Sequence, residues 1–391
     1  MPTSSRRPLA TGLAVVLVAG PAIGVLGTVA PDMPGLGLAT GFIPPVMSWV
    51  VLIALVGGVL ALGLWLRGRS LVAATLVVVS ALTVASGAIV VHRQVAAVEA
   101  AGARIDLLQT LNVWAKAAAA PDADVTFTSF GAEPLMLSVY RPPPSDTPAP
   151  VLVYVHGGGW VAGSRNDHAA DLRWFADQGW LTVSVDYALS GPDRHLWDVV
   201  PDQIGCALAW ANANVQRYGG DATRLSITGD SAGGNLAVNA AYMAANGTLR
   251  SSCGGRPATV SAVTALYPAV DPADMHANDD AVLGGTSRDF ITAYLGGPPA
   301  EFPQRHAAVT SSTHVSPAAP PTLLLLGADD HLVPTSGALR LADQARAAGV
   351  DIEVVSVPHA DHVFDARTGS IGQQAYRQLT ARWLRDHGQE P

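Results

Sequence analysis

The chain changes character near residue 91. Upstream, three stretches at 9–30, 45–66 and 70–91 contain no charged residue. At 1.5 Å per residue, a helix over any of them spans about 30 Å of hydrocarbon, and soluble core helices rarely run so long without a polar face. The pattern predicts three transmembrane helices within 1–91, the first interrupted by Pro21 and several glycines. Residues 92–123 follow as an alanine-rich segment with Val95, Val98, Ile105, Leu108, Leu111 and Trp114 at helical spacings, which predicts a helical stalk.

From 124 to 391 the apolar runs shorten and alternate with amphipathic stretches. Residues 125–130 and 135–140 predict a hairpin turning at Gly131. Further strands are predicted at 150–155, 180–187, 224–228, 260–266, 322–326 and 351–357, with helices at 167–178, 199–218, 234–245, 335–348 and 373–383. The run at 150–155 is apolar almost throughout, as a strand covered on both faces requires. Alternating strands and helices predict an α/β fold, a mostly parallel central sheet with helices on both faces. Residues 271–317 interrupt the alternation, and with their short apolar stretch at 290–295 they are expected to form a lid.

Charge adds orientation. Arg6 and Arg7 precede the first apolar stretch and Arg67 and Arg69 lie between the second and third, whereas 31–44 has neither Lys nor Arg. The positive-inside rule puts the N-terminus and the 67–69 turn in the cytoplasm and everything after 91 on the outer side, with Arg93 a mild counter-signal. If the first stretch is instead a removed signal peptide, the catalytic side is unchanged. The net charge of −8 argues against nucleic acid as a partner. The two cysteines, Cys206 and Cys253, are either a pair in an oxidising compartment or two separate thiols.

The chemistry is concentrated in two glycine motifs. Gly229-Asp230-Ser231-Ala232-Gly233 sits between a predicted strand and a predicted helix, the setting in which glycines permit a sharp turn that lifts a serine hydroxyl clear of the sheet. Upstream, His156-Gly157-Gly158-Gly159-Trp160 ends the 150–155 strand. The N–H groups of Gly158 and Gly159 can turn toward an oxyanion, and the Ala232 N–H supplies a third donor. Either motif alone is weak; the pair in this order is specific.

These motifs, extended to Gly234-Asn235-Leu236-Ala237 and joined by Val185-Asp186-Tyr187, resemble the hormone-sensitive-lipase-like branch of the α/β-hydrolases over about residues 124–387. The resemblance implies a Ser-His-Asp triad in the chain order serine, acid, histidine. It assigns the acid to Asp330, three residues past Gly327, rather than to neighbouring Asp329, and the base to His362, two residues before Phe364, rather than to His359. His331 stands where the family commonly has proline, and the sequence after Tyr187 departs from the family's pattern. In that family an N-terminal helical segment caps the site, an alternative to the stalk for 105–119.

Together these readings describe a membrane-anchored serine carboxylesterase or lipase acting on a small-molecule or lipid ester. Ser231 is expected as nucleophile, His362 as base, Asp330 as orienting acid, and Gly158, Gly159 and Ala232 as oxyanion donors. No metal and no cofactor are expected, since His359, Asp361 and His362 alone do not complete a metal site. The alternatives are an acyltransferase acting on a cell-envelope lipid or sugar, an amide or peptide hydrolase, and a non-catalytic receptor on the same fold. Oligomeric state is left open.

Overall fold

Length and apolar character are carried straight into helices in the N-terminal third. The computed structural model describes residues 6–112 and 120–391. It divides into two units, one holding the described residues up to Asn112 with Gly327–Asp329 and Val357–Ala375, the other holding the rest.

In the first unit, α1 (Arg6–Val29), α3 (Met47–Gly68) and α4 (Leu71–Ala100) pack together, with a short helix α2 (Ala39–Phe42) between α1 and α3. All three long helices are long and apolar enough to cross a membrane. Pro21 is accommodated inside α1 without ending it. Ser70 caps α4, its hydroxyl accepting from the Ala73 N–H. Val25, Met47, Val50 and Val90 form the buried centre of the bundle.

The segment expected as a stalk or cap is helical in its first part. Alanine-rich sequence with no breaker extends α4 through His92, Arg93 and Gln94 to Ala100. The chain then turns at Gly102 (φ 98°), and the Asp106 carboxylate accepts the Leu108 N–H, so the segment continues as turns and one 3-10 turn at Gln109–Leu111 instead of a helix. Trp114 and the rest of 113–119 lie outside the described residues.

The second unit is built on an eight-stranded sheet. β1 (Ala123–Phe130) and β2 (Glu133–Tyr140) form the predicted hairpin about Gly131, and β2 also runs antiparallel to β4 (Leu181–Val185). Beyond β4 the order is β3 (Ala149–Val155), β5 (Gly220–Asp230), β6 (Ala262–Leu266), β7 (Thr322–Gly327) and β8 (Ile352–Val357), with the β4–β3, β3–β5, β5–β6 and β6–β7 pairings parallel. The crossovers are α5 (Ala169–Asp177), α6 (Val200–Asn214), α7 (Ser231–Ala245) and α11 (Thr335–Ala347), and α12 (Ile371–Asp386) closes the chain. Every residue of β3, β4, β6 and β7 is buried, which explains the nearly unbroken apolar runs of β3 and β7, while β4 and β6 bury Thr182, Ser184 and Thr264 as well.

The segment 271–317 folds as α8 (Pro272–His276), α9 (Gly284–Leu295) and α10 (Pro303–Val309). Its end is tied to α7, where Asn235 and Asn239 both donate to the Val309 carbonyl. The cysteine alternatives resolve to a Cys206–Cys253 disulfide with Cα atoms 5.4 Å apart. A Cβ on Gly205 would stand 1.8 Å from the Arg250 carbonyl, so only glycine there lets α6 approach the 249–253 loop closely enough for that bond.

Candidate active site

The turn from β5 into α7 places Ser231 at φ 51°, a left-handed backbone that a non-glycine residue adopts only when its surroundings enforce it. The enforcing contacts are visible on the flanking glycines. A Cβ on Gly233 would lie 2.1 Å from the Val155 carbonyl oxygen, and one on Gly229 would lie 2.4 Å from the Gly233 carbonyl. The turn is therefore pressed against the end of β3, and both flanking glycines of the motif are needed for that approach.

From β3 the chain enters 156–160 with Gly158 at φ 103°, Gly159 at φ 59° and Trp160 at φ 61°. The Gly158 carbonyl accepts from Val161 and Ala162 N–H, which turns the loop back on itself. Ala232 is buried at the first turn of α7, whose leading N–H groups have no partner within the helix. The two glycine motifs are joined by a residue that the sequence reading passed over. Buried Asp230 accepts the Gly157 N–H at 2.9 Å and the Tyr154 hydroxyl at 2.5 Å. Burial, reinforced by the Asp230 charge, holds the Tyr154 phenol well above its ordinary pKa, so it remains a donor.

A second brace comes from Tyr187. Its hydroxyl donates to the His156 carbonyl at 2.9 Å, and its ring stacks on the His156 imidazole at 4.2 Å. Burial pushes the His156 pKa below its ordinary value, against the opposing effect of its Nδ1–H donating to the Gly157 carbonyl. Neighbouring Asp186 holds Arg165 through both its backbone N–H and its guanidinium, each at 2.9 Å. Tyr187 thus supports the glycine loop and Asp186 the turn at Arg165 beyond it, roles the sequence alone did not disclose.

The inserted segment reaches the same loop. A Cβ on Gly159 would sit 2.5–2.7 Å from three ring atoms of Phe290, so the ring lies directly over that glycine. Four residues further along α9, Tyr294 stacks on Trp160 at 4.5 Å with the rings 2° from parallel. The insertion is therefore a wall of the glycine loop.

Asp330 begins the turn after β7, where its Oδ1 accepts the N–H groups of Leu332 and Val333. Asn278 of the insertion donates to the His331 and Leu332 carbonyls and fixes that turn from outside. His362 lies in the loop after β8, in the first unit; it is buried, and its N–H donates to Asp361 Oδ1 at 2.7 Å. Of the neighbours set aside in favour of Asp330 and His362, Asp329 Oδ2 lies 3.8 Å from His359 Nδ1, so these two meet each other. Their contact had no signal beyond the proximity of each to its rival.

A strained serine at a strand-to-helix turn, a glycine loop on the adjacent parallel strand and an eight-stranded sheet of this order define an α/β-hydrolase. The propionate-bound esterase 2 of Thermogutta terrifontis shares this fold, with a TM-score of 0.57 at 21% identity over 68% of this chain and 95% of that one. The BD-FAE family matches residues 137–344, just over half of the chain, and the chain belongs to that family of α/β-hydrolase esterases. Among curated relatives, the esterase LipC of Mycobacterium tuberculosis is 32% identical over 61% of this chain and 60% of its own length. The probable carboxylic ester hydrolase LipM of the same organism is 30% identical, covering 63% and 57%. The ethyl acetate hydrolase of Pseudomonas putida is 29% identical, covering 71% and 87%. The chain thus spans about three fifths of the length of the two mycobacterial relatives.

Proposed function

We propose that this chain is a membrane-anchored serine carboxylesterase. Ser231 Oγ attacks the ester carbonyl while His362 takes its proton, and Asp330 orients and stabilises the imidazolium. The Gly158, Gly159 and Ala232 N–H groups hold the oxyanion as the tetrahedral intermediate forms. His362 then returns the proton to the departing alcohol. Water, deprotonated by the same imidazole, attacks the acyl-enzyme to release the free acid and restore Ser231.

The observation that carries this reading is the Ser231 turn itself, held at φ 51° and braced through Asp230 to the glycine loop. A backbone strained at one serine, beside a loop of three glycines, is the preorganisation that acyl transfer needs and that plain packing does not. Phe290 over Gly159 favours short acyl chains, in keeping with the small ester in the name of the Pseudomonas putida relative. The disulfide, together with the arginines at 6–7 and 67–69, favours the outer face of the membrane for the catalytic domain.

The test is hydrolysis of p-nitrophenyl esters of increasing acyl length by the full chain in detergent or lipid nanodiscs. Ser231→Ala and His362→Ala are expected to lower kcat by about 10³ or more. Equal turnover by the parent and Ser231→Ala overturns the esterase reading. Acyl product collected on an added alcohol, with little free acid, moves the assignment to an acyltransferase.

A further inference from the structure

The loop that carries His362 is fastened to the N-terminal segment by several polar contacts, one of them buried. Thr40, buried in α2, places its hydroxyl 2.7 Å from Asp361 Oδ2, and the other oxygen of that carboxylate accepts the His362 N–H at 2.7 Å. The same hydroxyl lies 2.7 Å from the Gly37 carbonyl, which fixes its position within the 31–44 connection. Gln94 near the end of α4 donates to the Pro358 carbonyl. Arg367 donates to the carbonyls of Pro45, Thr110 and Asn112, and a Cβ on Gly369 would stand 2.4 Å from the Gln109 carbonyl.

The loop needs such fastening. His359 and Val363 flank His362 at φ 56° and 53°, and for a β-branched residue that backbone is a genuine outlier, kept only where the surroundings over-determine it. Of the contacts named, the Thr40–Asp361 pair acts nearest the imidazole, one residue removed.

We propose that Thr40 is a positioning residue for His362, acting through Asp361, so that the membrane-spanning region sets the geometry of the base as well as anchoring the enzyme. This rests on the assignment of His362 as base. A displacement of about 1 Å in a catalytic group can cost about 10²-fold in rate, whereas substrate binding is made elsewhere and is little changed.

The experiment uses the full chain in nanodiscs with a short-chain p-nitrophenyl ester. Thr40→Val removes the hydroxyl at constant shape and is expected to lower kcat about 10–100-fold with KM changed less than about threefold. Thr40→Ser, which retains the hydroxyl, is expected to restore most of the rate. Should Thr40→Val fail to fold, Thr40→Ala removes the same hydroxyl and carries the same expectation, read against its melting temperature. If His362→Ala is inactive while a folded Thr40→Val, or in its place Thr40→Ala, keeps the parent kcat, this proposal is wrong and the base assignment stands. If Thr40→Ser is as slow as Thr40→Val, the hydroxyl is not the operative group and the proposal fails. If His362→Ala retains full activity, the base assignment itself falls.

Discussion

The two units solve the problem of rigidity by opposite means. In the α/β unit, strands β3 to β7 and helices α6 and α7 bury one continuous core of aliphatic and aromatic side chains. Among the described residues, its only large apolar side chains left exposed are Val282 and Leu339. Water drives this packing, and the Ser231 turn inherits its precision from close atomic contact. The three apolar N-terminal helices, long enough to cross a membrane, instead leave Leu9, Leu55, Val59, Leu71, Leu82 and many other apolar side chains exposed. In the bilayer proposed for them there would be little hydrophobic gain in pairing helices, which leaves small residues and polar contacts to hold the bundle. A Cβ on Gly57 would come within 3.0 Å of the Leu17 backbone, and the Ser80 hydroxyl donates to the Ala54 carbonyl across the interface. The Ser231 turn is held chiefly by backbone approach to β3, whereas the histidine loop combines a close approach at Gly327, where a Cβ would lie 2.6 Å from the Ala360 and Asp361 carbonyls, with side-chain hydrogen bonds to the N-terminal segment.

The harshest challenge to the packed half is Gly233→Val. Its Cβ would meet the Val155 and His156 carbonyl oxygens at 2.1 and 2.4 Å, and neither backbone group can yield without moving the end of β3. The expected result is a chain that does not fold, or one whose kcat/KM falls about 10³-fold because the turn and the glycine loop separate. Gly247→Ala is the comparison, since its Cβ would meet nothing and only its φ of 69° resists, at a cost of about 1 kcal/mol. Near-parent activity in a folded Gly233→Val would mean that contact with β3 does not set the turn.

How much of this was legible in sequence follows the same division. Periodicity placed every strand of the sheet within a few residues, because burial on two faces leaves unbroken apolar runs such as 151–155 and 322–326. The three apolar stretches were as plain, and each is a helix long and apolar enough to cross a membrane. What sequence did not show were contacts between distant residues. Asp230 sits inside the serine motif, yet its task, bonding Gly157 and Tyr154, depends on β3 and β5 being neighbours in the sheet. Thr40 and Asp361 are 321 positions apart, and no local pattern marks either. Alanine-rich spacing also did not mark where α4 ends at Ala100, ahead of the turn at Gly102 and the Asp106–Leu108 bond.

A milder test separates stability from site geometry. The Cys206–Cys253 bond closes a stretch of 47 residues that contains β5, the Ser231 turn and α7. Replacing both with serine is expected to cost about 2–4 kcal/mol of stability, chiefly by freeing the unfolded chain, and to leave kcat near the parent value at temperatures where the chain stays folded. Thermal unfolding with and without reductant measures this. If the catalytic domain lies outside as proposed, an impermeant maleimide on intact cells is expected to label the chain only after an impermeant reductant is added. Labelling before reduction, or protection after it, would contradict that placement or that bond.

The smallest expected effect concerns the wall that the insertion builds over the glycine loop. The Phe290 ring occupies the space a Cβ on Gly159 would need, and α9 is held there by the Tyr294–Trp160 stack four residues on. Phe290→Ala removes the ring without touching that stack or the Asp230 brace, so the donors should keep their places. Acetyl ester hydrolysis is expected to change less than about threefold, while the ratio of octanoyl to acetyl kcat/KM rises about tenfold, the discrimination that one or two methylenes of pocket depth provide. Each tenfold corresponds to about 1.4 kcal/mol of differential transition-state binding, a modest amount beside the loss at Gly233. An unchanged ratio would place the acyl chain away from α9 and leave Phe290 as packing for the loop. A fall in both rates would show that the ring also steadies Gly159, extending to the insertion the close packing that holds the Ser231 turn.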